Sequence, residues 1–98
     1  MFEILKSDTF ERWLIGMKDR QARLRVQSRI DRLREGNPGD VKPVGGGISE
    51  LRIDFGPGYR VYFMKRGLLV IVLLAGGDKR TQQADIKRAI KIAKDWKE

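Results

Sequence analysis

Arg52, Arg60, Lys79 and Arg80 are spaced so that one fold could gather them on a phosphate. Arg52 belongs to a segment in which Leu51, Ile53 and Phe55 alternate with Glu50, Arg52 and Asp54. Arg60 stands in the next segment beside Tyr62, and Lys79 and Arg80 follow an apolar run that ends in Gly76-Gly77. A guanidinium fork clamps a phosphate through two parallel hydrogen bonds, and a tyrosine ring stacks on a base. Because alternate strand residues share a face, Arg52 is expected opposite Leu51 and Ile53, and Arg60, Tyr62 and Met64 opposite Val61 and Phe63. Two arginines and a tyrosine would then line one open sheet surface. A solvated face on which the arginines pair with Asp54 or Glu50 also fits this spacing, and spacing alone favours that plainer reading.

The segment Gly76-Gly77-Asp78-Lys79-Arg80 is read as a strand-to-helix loop, where glycine lets backbone approach a ligand. It lacks the glycine spacing and the Lys-Ser/Thr pair of a P-loop. A turn decorated with solvated charges fits it equally well. The wider charge pattern points the same way as the four cations: 21 Lys and Arg against 13 Asp and Glu leave a net charge of +8. Lys18 to Glu35 and Lys79 to Glu98 each carry seven basic and three acidic residues. Such a field attracts polyanions, among them nucleic acid, acidic proteins and anionic membranes.

Cysteine and histidine are both absent, which excludes disulfides, thiolate chemistry, Cys-His and Ser-His-Asp catalysis and histidine metal sites. At 98 residues the chain suits a single domain over residues 1–98, with one modest core and a site of a few side chains on an open surface. Neither a metal nor a small-molecule cofactor is expected. The start Met1-Phe2-Glu3-Ile4 has no signal-peptide pattern, and the apolar run Leu68 to Ala75 is far short of the ~20 residues of a membrane helix. A cytoplasmic protein with no membrane partner is the expectation.

The elements that must position these residues follow from periodicity. Phe2 to Lys6 reads as a short strand. Ser7 and Asp8 suit the start of a helix, Asp8 with Glu11 resembles a capping box, and Phe10, Trp13, Leu14 and Met17 then repeat at helical spacing. Ala22, Val26, Ile30 and Leu33 stripe a longer, arginine-rich helix that Gly36-Asn37-Pro38-Gly39 ends. Pro43 and Gly45-Gly46-Gly47 read as a flexible connection. Beyond it, segments starting at Glu50, Tyr59 and Leu68 form an antiparallel meander, which the first strand can join as a fourth member. Thr81 can cap a last helix with Ile86, Ala89, Ile90 and Ala93 on one stripe. Trp13 and Trp96 are read as packing residues. The class is α+β: an antiparallel sheet of about four strands, two N-terminal helices on one face and a C-terminal helix.

Taken together, Glu50-Leu51-Arg52, Gly58-Tyr59-Arg60-Val61-Tyr62-Phe63, the apolar strand running into Gly76-Gly77-Asp78-Lys79-Arg80-Thr81, and the helix with Asp85, Ile86 and Ala89 resemble the RelE/ParE toxin superfamily. Within it they are most similar to the HigB-like, phage-derived addiction-module killer branch. That resemblance implies a RelE-like fold and the toxin of a type II toxin-antitoxin system. Such a toxin is an mRNA interferase, an endoribonuclease that enters the ribosome, cuts mRNA there without a metal and inhibits translation. It also implies a cognate antitoxin of helix-turn-helix type. By position, Arg60 is assigned to transition-state stabilisation, Lys79 or Arg80 to proton delivery or phosphate clamping, and Arg52 to phosphate positioning, with Tyr62 and Lys65 as RNA-binding residues.

The chain departs from the family pattern near its C-terminus, where some members place a histidine or tyrosine and Trp96 is the aromatic here. Catalysis would rest on orientation and electrostatics, since lysine with a reference pKa near ~10.4 is a poor base. A ParE-like gyrase inhibitor on the same fold, and a non-catalytic remnant that only binds its antitoxin, therefore stay open beside the ribonuclease.

Overall fold

The apolar run after Leu69 becomes a central strand because helices cover both of its faces. In the computed structural model, which describes residues 1–97, the chain runs β1 (Glu3–Lys6), α1 (Asp8–Ile15), α2 (Arg20–Arg34), β2 (Val41–Gly45), β3 (Ile48–Ile53), β4 (Tyr59–Arg66), β5 (Val70–Asp78), a 3₁₀ turn (Lys79–Thr81) and α3 (Gln82–Asp95). The sheet order is β1-β5-β4-β3-β2. All pairs are antiparallel except β1, which lies parallel to β5. The class is α+β as expected, but the sheet is mixed and has five strands.

The additional strand comes from the segment expected to be a flexible connection. Gly46 and Gly47 both hold positive φ, +64° and +77°, as a two-residue hairpin turn of mirror-image type requires. They fold Val41–Gly45 back onto β3, with Gly45 opposite Ile48.

Phe10, Val26, Ile30 and Leu33 from α1 and α2 pack with Leu51, Ile53, Val61, Phe63, Ile71 and Leu73 on one face of the sheet. Ile48, Tyr62, Met64, Val72, Leu74 and Ala75 pack beneath Ala89, Ile86 and Ile90 of α3 on the other. Trp13 joins the first cluster and Trp96 the second, each partly buried. Each face thus has its own apolar core in a helix-sheet-helix sandwich. Among the described residues, no helix is long and apolar enough to cross a membrane.

Helix ends follow local chemistry, with two corrections. Ser7, rather than Asp8, caps α1: its Oγ accepts from the Phe10 amide at 3.0 Å and donates to the Leu74 carbonyl at 2.6 Å. Asp78, rather than Thr81, caps the final helical segment, accepting from the Arg80 amide at 2.9 Å, while α3 itself begins without a side-chain cap. At the end of α2, the amides of Gly36 and Asn37 donate to the carbonyls of Leu33 and Arg32, closing the helix in a Schellman turn on the positive φ of Gly36.

Strand β5 also differs from expectation at both ends. Leu68 and Leu69 lie outside it on the exposed hairpin tip. Gly76, Gly77 and Asp78, expected in a loop, continue it, opposite Val61, Arg60 and Tyr59. A Cβ on Gly76 would overlap the Trp13 ring, and one on Gly77 would overlap the Asp85 carboxylate. These glycines let α1 and α3 close on the sheet from opposite sides.

Candidate functional site

Strand register, fixed by the two cores, places Arg52 of β3 directly opposite Arg60 of β4. Side chains so paired lie about 4.5–5.5 Å apart at Cβ, and like charges there repel. Each arginine is given its own carboxylate. Arg52 donates from Nε and Nη2 to Asp40 Oδ1 at 3.2 and 2.9 Å. That hydrogen bond, against the opposing effect of burial, holds the Asp40 carboxyl below its ordinary value and the Arg52 guanidinium above its own. Arg60 instead lies with Nε 3.9 Å from Oε2 of Glu50, its side chain 12% exposed.

Glu50 has no exposed surface. Its Oε2 accepts from the Tyr62 hydroxyl at 3.1 Å and from Gln82 Nε2 at 2.9 Å. These two bonds offset the burial of Oε2, while Oε1 is buried without a hydrogen-bond partner among the described residues. Burial first, and then the Glu50 charge and hydrogen bond, push the Tyr62 hydroxyl well above its ordinary range.

Lys79 arrives from the other side, at the first position of the turn capped by Asp78. The β3–β4 loop closes the site from below. Gly58, at φ +84°, brings its backbone so near that a Cβ there would lie 3.4 Å from Arg60 Nη1 and 3.6 Å from Lys79 Cβ. The result is an open, polar concavity of about 540 Å³ lined by Asp40, Arg52, Asp54, Gly56, Pro57, Gly58, Arg60 and Lys79. Asp54 forms no ion pair among the described residues. Three cations facing a wet cleft are equipped to hold an anion with several oxygens and to stabilise charge that develops on it. Among the described residues, no group of three or more His, Cys, Asp or Glu is placed to hold a metal ion.

Arg52, Arg60 and Lys79 therefore meet, whereas the other expected site residues do not join them. Arg80 points away and grips Asp78 through Nε–Oδ1 and Nη2–Oδ2 bonds of 3.2 and 2.9 Å, with its side chain 80% exposed. Tyr62 does share the Arg60 face, but α3 covers that part of the sheet and leaves Tyr62 fully buried. The expected open surface survives only beyond the N-terminus of α3, so Tyr62 presents no ring to a base. Lys65 is exposed near the opposite end of β4, its Nζ 5.2 Å from the Phe2 ring centroid.

Asp40 was not expected in this role; Glu50 was expected to pair with an arginine on a solvated face, and it does so from a fully buried position. For Glu50 a signal existed: it shares a strand face with Arg52 at i, i+2, although its nearer cation proves to be Arg60. Asp40 gave none, because its position depends on β2 pairing with β3.

A family model described as phage derived protein Gp49-like matches residues 12–98. A Haemophilus influenzae protein named only as uncharacterised is 48% identical over 87 residues, covering 89% of this chain and 88% of that one.

Proposed function

Because the chain belongs to the phage-derived Gp49-like family, we propose that it is the toxin of a type II toxin-antitoxin system and a metal-independent endoribonuclease acting on mRNA in the ribosome. The observation that carries this reading is the meeting of Arg52, Arg60 and Lys79 around one open cleft on a chain of net charge +8.

The cleft suits cleavage by the RNA's own 2′-hydroxyl. That oxygen attacks the adjacent phosphorus, the bond to the 5′-oxygen breaks, and a 2′,3′-cyclic phosphate remains. Arg60 is held near Glu50 on a rigid strand and stabilises the charge on the phosphoryl oxygens; Arg52 positions them. Lys79 delivers a proton to the departing 5′-oxygen, and Asp54, the cleft carboxylate with no ion-pair partner among the described residues, receives the proton of the 2′-hydroxyl. An exposed carboxylate is a weak base, so most of the acceleration comes from orientation and from the preorganised cations. An antitoxin neutralises the protein by covering this basic surface.

Induced expression in bacteria with 5′-end mapping of cellular mRNA tests the reading. Cuts inside translated codons that vanish in Arg60→Ala are expected. Growth arrest without cuts, accompanied by DNA damage, would replace the ribonuclease with a gyrase-directed toxin on the same fold.

A further inference from the structure

Asp54 is shared by two concavities. Beyond the cleft already described, a second one of about 270 Å³ is lined by Arg25, Ser28, Arg29, Arg32, Ile53 and Asp54. Its basic wall is one face of α2, where Arg25, Arg29 and Arg32 recur at i, i+4 and i+7 over about 10 Å of helix axis.

The burial of α2 does not require Arg25 and Arg32, both exposed. Helix α2 buries Ala22, Val26, Ile30 and Leu33, and like charges at i, i+3 and i, i+4 cost helix stability. The carboxylate on this helix that forms an ion pair, Asp31, pairs with Arg34. Arg32 has no ion pair among the described residues. Arg29 ties the helix to the first cleft, donating from Nη1 to the Arg52 carbonyl at 2.6 Å and from Nη2 to the Pro38 carbonyl at 3.0 Å. Arg25 is exposed and lies over the Phe55 ring, its guanidinium carbon 4.8 Å from the ring centroid, a cation–π contact that restrains the guanidinium.

We infer that this second concavity is a subsite for the sugar-phosphate backbone of single-stranded RNA, which leaves the Arg52/Arg60/Lys79 cleft past Asp54 and continues along α2. The inference rests on the ribonuclease reading and extends it to the path of the strand. Arg32 faces a flanking phosphate, Ser28 supplies a neutral donor, Arg25 engages the next nucleotide by charge and stacking, and Arg29 holds the wall in place through its carbonyl bonds.

The test is fluorescence anisotropy on the full chain with a 2′-O-methyl RNA decamer, which lacks the attacking hydroxyl, and with a trinucleotide of the same chemistry. Arg25→Gln/Arg32→Gln should weaken decamer binding about tenfold and flatten its log K against log salt slope by about 1.4, two contacts at ~0.7 each for a single strand. Trinucleotide binding should be unchanged, while Arg60→Gln weakens both ligands. Unfolding midpoints equal to wild type establish that the variants are folded. A double variant that binds the decamer like wild type, with Arg60→Gln still weakened, overturns the subsite and leaves the cleft standing. RNA binding that is absent in wild type, or indifferent to Arg60→Gln, overturns the cleft and the subsite together. A poly-glutamate peptide that binds as tightly as the decamer, with the same dependence on Arg25 and Arg32, would make this surface a protein-docking face instead.

Discussion

The Tyr62 hydroxyl donates to Oε2 of Glu50 across 3.1 Å, and neither residue exposes any surface to solvent. Replacing Tyr62 by Phe removes that bond but leaves Oε2 its bond from Gln82. The expected cost is about 1 kcal/mol, read from urea unfolding, with RNA affinity unchanged because the ring lies under α3. The raised Tyr62 pKa also sets a direction at high pH. Its contribution to stability is full below the unfolded value of 10.0 and is lost as pH rises above it. The alkaline fall in the wild-type unfolding midpoint should be smaller in Tyr62→Phe.

Glu50→Ala should be far more damaging than Tyr62→Phe. It strands the Tyr62 hydroxyl and the Gln82 amide and leaves Arg60 without its carboxylate. Removing one member of a buried charged pair costs about 3–5 kcal/mol. Glu50→Gln keeps an acceptor and should fall between the two, and denaturant midpoints of the three variants should order accordingly.

Gly77→Ala sets a methyl group against the Asp85 carboxylate, and Gly76→Ala sets one against Trp13. Overpacking of this kind costs about 1–3 kcal/mol, or roughly 4–8 °C of Tm per kcal/mol for a chain of this size. Gly77→Ala must also push α3 and the Lys79 turn outward. Its RNA cleavage should therefore fall at temperatures where the protein is still folded, which a combined melting and activity series would detect.

Asp40 and Asp78 should shape the acid limb of stability. A hydrogen bond from Arg52 holds the first carboxyl below its ordinary 3.8, and one from Arg80 does so for the second. The stability each gives is present above pH 3.8 and is lost as pH falls through the lower folded value. Asp40→Asn and Asp78→Asn should each flatten the decline of the urea midpoint below about pH 4.

Neighbouring cations Lys79 and Arg80 should separate cleanly. Lys79 lines the cleft and Arg80 does not, so Lys79→Gln should lower cleavage by about 10²-fold or more, whereas Arg80→Gln should leave it within a few-fold. Equal losses would mean that the turn moves on binding RNA.

The sequence by itself determined what is local. Ala22, Val26, Ile30 and Leu33 recur at helical spacing, and all four are buried in α2. The alternation through Leu51 and Ile53 put Arg52 and Arg60 on the same face, where the register pairs them. Net charge and the absence of cysteine and histidine bounded the chemistry before any fold was known. What only the tertiary structure decided is which stretch of each face meets water. Alternation assigns Tyr62 and Arg60 to one side, but the docking of α3, whose position depends on Gly77 and Asp85, buries the first and leaves the second at the edge of a cleft. Strand β2, and with it Asp40, exists because β3 offers a pairing partner. Lys79 enters the cleft while Arg80 leaves it because Asp78 winds the chain into a turn after β5. Each of these outcomes depends on contacts between segments far apart in the chain, and burial, unlike periodicity, is set by whatever such a segment comes to cover.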